Sequence, residues 1–76
     1  MYIIAYIEKT GLYKAFNMSM VKKVEIKKRA TGDYAIMMDD ETAMVYKNYD
    51  FARNVLNAIF EKINEGTLTY YFPTEE

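Results

Sequence analysis

Residues Asn48 to Gly66 read NYDFARNVLNAIFEKINEG, and this stretch decides the fold. Its apolar positions are Phe51, Ala52, Val55, Leu56, Ala58, Ile59, Phe60 and Ile63. They recur mostly at spacings of three and four, which makes one stripe on a 3.6-residue helix. Arg53, Asn54, Asn57, Glu61, Lys62, Asn64 and Glu65 fall largely on the opposite side. Asn48 is a good N-cap type, because its side-chain oxygen can accept a free N–H of the first turn. Asp50 then complements the positive end of the helix dipole; Asp50 as the cap itself is the other reading. Gly66 supplies a left-handed stop. A helix over about 49–65 is about 26 Å long at 1.5 Å per residue, which matches strands of about six to eight residues. A stripe this wide must lie on another layer, and the rest of the chain offers a sheet.

Before the helix, the chain alternates as strands do. Tyr2 to Ile7 is a β-rich run. Glu8 to Gly11 reads as a turn, and Leu12 to Asn17 returns as a hairpin partner. Asn17-Met18-Ser19-Met20 breaks the extension. From Val21 to Arg29, Val24 and Ile26 point one way, and Lys23, Glu25, Lys27 and Arg29 point the other. Ala30 to Asp33 is a turn. Tyr34, Ile36 and Met38 then alternate with Ala35, Met37 and Asp39. Asp39 to Thr42 is a polar turn, and Ala43 to Lys47 leads into the helix. After Gly66, Thr67 to Phe72 forms a last strand with Leu68, Tyr70 and Phe72 on one face. Pro73 ends it, and Thr74-Glu75-Glu76 is expected to be a solvated tail. Short connections favour antiparallel neighbours. The expected fold class is therefore α+β, in one domain over residues 1–76: an antiparallel meander of about five to six strands, one amphipathic helix on one face, and a short C-terminal strand.

Composition narrows the function. A chain of 76 residues buries about 60% of its unfolded surface, so it is marginal alone. It has no Cys and no His, so disulfides, thiolate metal sites and the commonest general base are missing. Eight Tyr and four Phe in a chain that is 51% hydrophobic fill a core and leave aromatic surface over, which points to a homodimer. The net charge of −1 gives no global drive toward nucleic acid. No uncharged run approaches the roughly 18 residues that span a bilayer, so no membrane partner is expected. The start, MYIIAYIEKTG, lacks the basic n-region of a signal peptide. The expected localisation is cytoplasmic.

Three clusters are candidates for chemistry. The basic strand Lys22–Arg29 could meet phosphates through Lys23, Lys27 and Arg29. A solvated face whose lysines discourage edge pairing explains it better. The acidic run Asp39-Asp40-Glu41 could hold a hard cation. It lacks the spaced ligands and Gly of a calcium loop, and a turn that uses Asp for local hydrogen bonds is favoured. The tyrosines, above all Tyr46, Tyr49 and Tyr71, suit an interface or could stack bases. Met37, Met38 and Met44 read as adaptable core filling. Ser19 is the only serine, with no activating His and no GxSxG around it. Gly11, Gly32 and Gly66 form no phosphate loop. No catalytic residue, cofactor or metal ligand is assigned, and the chain is not expected to be an enzyme.

The pieces NMSMVKKVEI, DYAIMMDDETAMVYKN and ARNVLNAIFEKI, with the ending YYFP, resemble a group of small uncharacterised proteins of Gram-positive bacteria and their phages. These pieces are a strand with an Asn-x3-Val start, an acidic hairpin and an Ala-x2-Val-Leu helix. They cover about three quarters of the chain, which departs from the group in its longer N-terminal hairpin. The resemblance implies a fold and a mobile-element origin, and no activity. The expected function is a small interaction module whose partners are itself and an unidentified protein. The alternative is a weak nucleic-acid or nucleotide binder through Lys22–Arg29.

Overall fold

The helix forms where its caps place it. In the computed structural model, which describes residues 1–7 and 12–75, α1 spans Tyr49–Glu65. The Asn48 side chain accepts the Phe51 N–H at 3.0 Å, so Asn48 and not Asp50 is the cap. Asp50 lies in the first turn and Lys62 in the last, each at the helix end that its charge favours. Gly66 adopts φ +75°. The Gly66 and Thr67 N–H groups donate to the Ile63 and Lys62 carbonyls at 3.1 and 3.0 Å, which closes the helix in a Schellman motif.

Around it lie β1 (Tyr2–Ile7), β2 (Leu12–Asn17), β3 (Val24–Lys28), β4 (Tyr34–Met38), β5 (Glu41–Tyr46) and, after the helix, β6 (Thr69–Tyr71). The α+β class holds; the single meander does not. The strands form two three-stranded sheets. A central sheet runs β3-β4-β5, antiparallel throughout. A terminal sheet runs β2-β1-β6, and its last pair is parallel, with Tyr2, Ile3 and Ile4 beside Thr69, Tyr70 and Tyr71. The expected turn Glu8–Gly11 lies outside the described residues.

The break between the sheets has local causes. Asn17 Oδ1 accepts both the Ser19 N–H (3.1 Å) and the Ser19 hydroxyl (2.7 Å), an Asx-type turn that ends β2. The Lys22 and Lys23 N–H groups then donate to Asp39 Oδ1, both at 3.0 Å, and Lys23 returns its carbonyl to the Asp39 N–H at 2.8 Å. The ladder therefore starts at Val24 and not at Val21. Asp39 and Asp40 form a two-residue turn, with Asp39 at φ +56°, the backbone that primed hairpin turns require. β5 begins at Glu41, and its pairing with β4 shifts register between Ile36 and Met37, which leaves Ala43 as an inserted bulge residue.

One core joins all three layers. Ile3, Ala5 and Phe16 come from the terminal sheet, Ile36, Met38, Ala43 and Tyr46 from the central sheet, and Ala52, Val55 and Ile59 from α1. Val24, Ile26, Tyr34 and Met44 pack against the same core, so one face of the central sheet is covered by the helix and the terminal sheet together. The helix buries less of its stripe than the spacing predicts: Phe60 and Ile63, in its second half, stay 45% and 41% exposed.

The C-terminal segment departs most from expectation. β6 is three residues long. Tyr70 and Phe72 pack on the core, whereas Leu68 is 82% exposed. Glu75 is not a solvated tail residue. Its two carboxylate oxygens accept the N–H groups of Lys47 and Asn48, both at 2.7 Å. Among the described residues no helix is long and apolar enough to cross a membrane.

Candidate interaction surface

Each sheet has an inner face on the core and an outer face turned away from it. Side chains alternate along strands, so the register assigns the outer faces. On the terminal sheet the outer face carries Tyr2 and Ile4 from β1, Ala15 and Asn17 from β2, and Thr69 and Tyr71 from β6. Every one of these described positions is uncharged, in a chain with 28% charged residues. Tyr2 and Tyr71 are 50% and 63% exposed. On the central sheet the outer face carries Glu25 and Lys27 from β3, Ala35 and Met37 from β4, and Thr42 and Val45 from β5. Here two charged side chains stand beside the apolar ones, and Lys23 extends the row.

The expected basic site is partly spent on itself. Lys23 Nζ lies 3.5 Å from Glu25 Oε1. Arg29 falls past the end of β3, and its Nε lies 3.3 Å from Asp33 Oδ1 in the turn that its own N–H helps to close. Lys27 is exposed and makes no ion pair among the described residues. The arrangement offers an anion isolated lysines and not a converging cluster.

The three tyrosines expected at an interface separate. Tyr46 is 2% exposed and so cannot reach a partner. Its hydroxyl donates to the Pro73 carbonyl at 2.8 Å. Burial, and then the proximity of Tyr70 and Glu75, push its phenol well above the usual tyrosine range; burial raises Tyr70 as well. Tyr49 is half exposed on the first turn of α1 and stacks edge-on against Tyr34, with centroids 5.2 Å apart. Tyr71 alone lies on the uncharged face. Tyr2 and Leu68 share its exposure and were not among the expected interface residues; the alternation of Tyr2 with the buried Ile3 was the available signal.

Two of the three residues of the acidic run, Asp39 and Glu41, are used by the fold. Asp39 bonds to the lead-in of β3, as above, and Glu41 pairs with Lys14 across the two sheets. Among the described residues no group of three or more acidic, Cys or His side chains could hold a metal ion. Two open grooves flank these features. One, of about 350 Å³, runs between Met44–Tyr46 and Phe72–Glu75. The other, of about 530 Å³, lies between the end of β2 and the Asp39–Glu41 turn. The Ser19 hydroxyl, at the surface, donates to Asn17 Oδ1. Comparison with known proteins finds no match: no family model, no curated protein and no solved structure matches this chain.

Proposed function

We propose that this chain is a non-catalytic interaction module that self-associates through the outer face of the terminal sheet. The observation that carries the reading is the absence of charge from every described position on that face, with Tyr2 and Tyr71 standing out from it. In a two-fold interface a patch meets its own copy. A charged patch would repel itself, whereas an uncharged aromatic one is self-complementary. Tyrosine adds large contact area at small entropic cost, and its hydroxyl can remain at a wet rim. Two strands of six residues and one of three, about 4.8 Å apart with about 3.3 Å per residue, make a footprint of about 240 Å². A stable interface uses about 800 Å² per partner, so the dimer belongs with the weak, transient interfaces. The test is sedimentation velocity of the wild type and of Tyr71→Lys. The reading requires a concentration-dependent rise in sedimentation coefficient for the wild type that Tyr71→Lys removes. A wild type that sediments as a monomer at millimolar concentration would falsify it.

A further inference from the structure

β3 is an open edge of the central sheet: β4 pairs with one side of it, and no strand among the described residues pairs with the other. The ladder fixes which backbone groups that edge leaves free. The Asp39 N–H donates to the Lys23 carbonyl, and the Arg29 N–H donates to the Asp33 carbonyl, both at 2.8 Å. In an antiparallel pair, residues bonded to the neighbouring strand alternate with residues that are not. Lys23, Glu25, Lys27 and Arg29 therefore turn their backbone groups toward β4, and Val24, Ile26 and Lys28 turn theirs away from it. The edge thus presents a row of N–H and C=O groups, the template on which an extended segment of another chain adds itself as a strand.

Charge selects the segment. Residues 22–29 hold five of the ten Lys and Arg residues and one of the eleven Asp and Glu residues, so this stretch carries +4 in a chain whose net charge is −1. Lys23 and Arg29 have acidic partners. Lys27 and Lys28 are exposed and in no ion pair among the described residues. Two copies of such an edge repel each other, so the lysines guard it against pairing with itself. The same lysines attract a strand of opposite charge. Val24 and Ile26 pack against the core but are only partly buried, so the inner face has room for apolar side chains beside them.

We propose that the free edge of β3 docks an extended acidic segment of a partner protein, which joins the central sheet as a further strand. The backbone of that segment bonds to Val24, Ile26 and Lys28. Its apolar side chains lie opposite Val24 and Ile26, and two adjacent carboxylates lie opposite Lys27 and Lys28. Successive side chains of a strand point to opposite faces, so one carboxylate meets Lys27 on the outer face and the next meets Lys28 on the other. Lysines set apart along a strand do not converge on one small anion, but they match carboxylates carried at the same spacing. The inference does not depend on self-association through the terminal sheet, which uses a different surface.

The probe is a fluorescein-labelled synthetic peptide, Ser-Glu-Glu-Val-Thr-Val-Glu-Ser, titrated with the whole chain at low ionic strength and followed by anisotropy. Run antiparallel to β3, its adjacent glutamates fall opposite Lys28 and Lys27, and its valines fall opposite Ile26 and Val24. Amide resonances of the isotope-labelled protein then locate the bound peptide. The proposal expects saturable binding with the largest amide shifts in β3. It expects a loss of about tenfold or more from each of two changes. One is N-methylation of both valines, which removes ladder donors and keeps the charge. The other is Lys27→Glu, a change at an exposed side chain. Absence of binding overturns the proposal, as do shifts centred on another strand. Equal affinity for the N-methylated peptide overturns it too, because charge attraction alone would then explain the binding. Unchanged affinity in Lys27→Glu has the same consequence. An oligothymidylate of the same length that binds more tightly than the peptide and displaces it would assign the edge to phosphates instead.

Discussion

The two sheets are alike inside and unlike outside. Each contributes a fully buried isoleucine to one core, Ile3 from the terminal sheet and Ile36 from the central sheet, and α1 adds Ile59. Outside, the central sheet shows Glu25, Lys27 and the Lys23–Glu25 pair, while the terminal sheet shows Tyr2, Ile4 and Tyr71 without a charge on any described position. Exposed apolar residues standing singly need no explanation, but a face without charge does. The proposed self-association uses the uncharged face and leaves the charged one to water.

The largest expected effects test the likeness inside. Ile3→Ala and Ile36→Ala should each cost about 2–5 kcal/mol, from lost burial and the cavity left behind. Urea melts followed by circular dichroism should show both midpoints falling by similar amounts. A much smaller loss for Ile3→Ala would detach the terminal sheet from the shared core.

The next effect tests the contrast outside. Tyr71→Lys should weaken self-association by about tenfold or more, because an isologous contact brings the introduced charge against its own copy. Met37→Lys, on the outer face of the central sheet, should change it by less than about twofold, since that face already carries charge. Tyr71→Lys is a surface change, expected to keep stability within about 0.5 kcal/mol; Met37 is half-buried, so circular dichroism checks that Met37→Lys stays folded. Equal effects of the two on association would erase the distinction between the faces.

Tyr46→Phe should cost about 1 kcal/mol, because the buried Pro73 contact is lost, and should leave association unchanged. It also carries a pH signature. The folded phenol titrates above the unfolded value of about 10. A raised folded value favours the protonated form, so the stabilisation is complete below about pH 10 and is lost as pH rises above it. Wild type minus Tyr46→Phe stability should be flat from about pH 7 to 9 and fall above about pH 10. A difference that stays constant to higher pH would mean that the phenol is not held neutral by the fold.

The smallest effect concerns Lys27. Charge reversal by Lys27→Glu should leave self-association unchanged, measured by sedimentation at low and high salt. A steep salt dependence, or weak oligonucleotide binding lost in Lys27→Glu, would return the central sheet's face to candidacy as a phosphate-binding surface.

Much of this organisation was legible in the residues. Asn48 and Gly66 bound the helix because capping is local chemistry, and the alternation of Val24 and Ile26 with Glu25 and Lys27 set the faces of β3. What alternation cannot supply is the neighbour. It tells which side a residue faces, not which strand lies alongside, so the split into two sheets and the parallel pairing of β6 with β1 were not readable. Asn17-Met18-Ser19-Met20 marked the break, but its side-chain bonds had to be seen to show that the chain leaves the sheet there. Glu75 gave no signal, because its partners are backbone N–H groups of Lys47 and Asn48, which have no sequence signature. Tyr46 and Tyr71 are the same residue type, and only the strand position relative to the core separates a buried phenol from an exposed one.

The most direct measurement of the central claim is the solution mass of the wild-type chain by light scattering over a dilution series, with Tyr71→Lys run alongside. The account predicts a mass that approaches twice the chain mass of 9.0 kDa at high concentration and falls to one chain on dilution, with the variant monomeric throughout. A wild type that stays at 9.0 kDa at every concentration, or a variant that follows the wild-type curve, would contradict it.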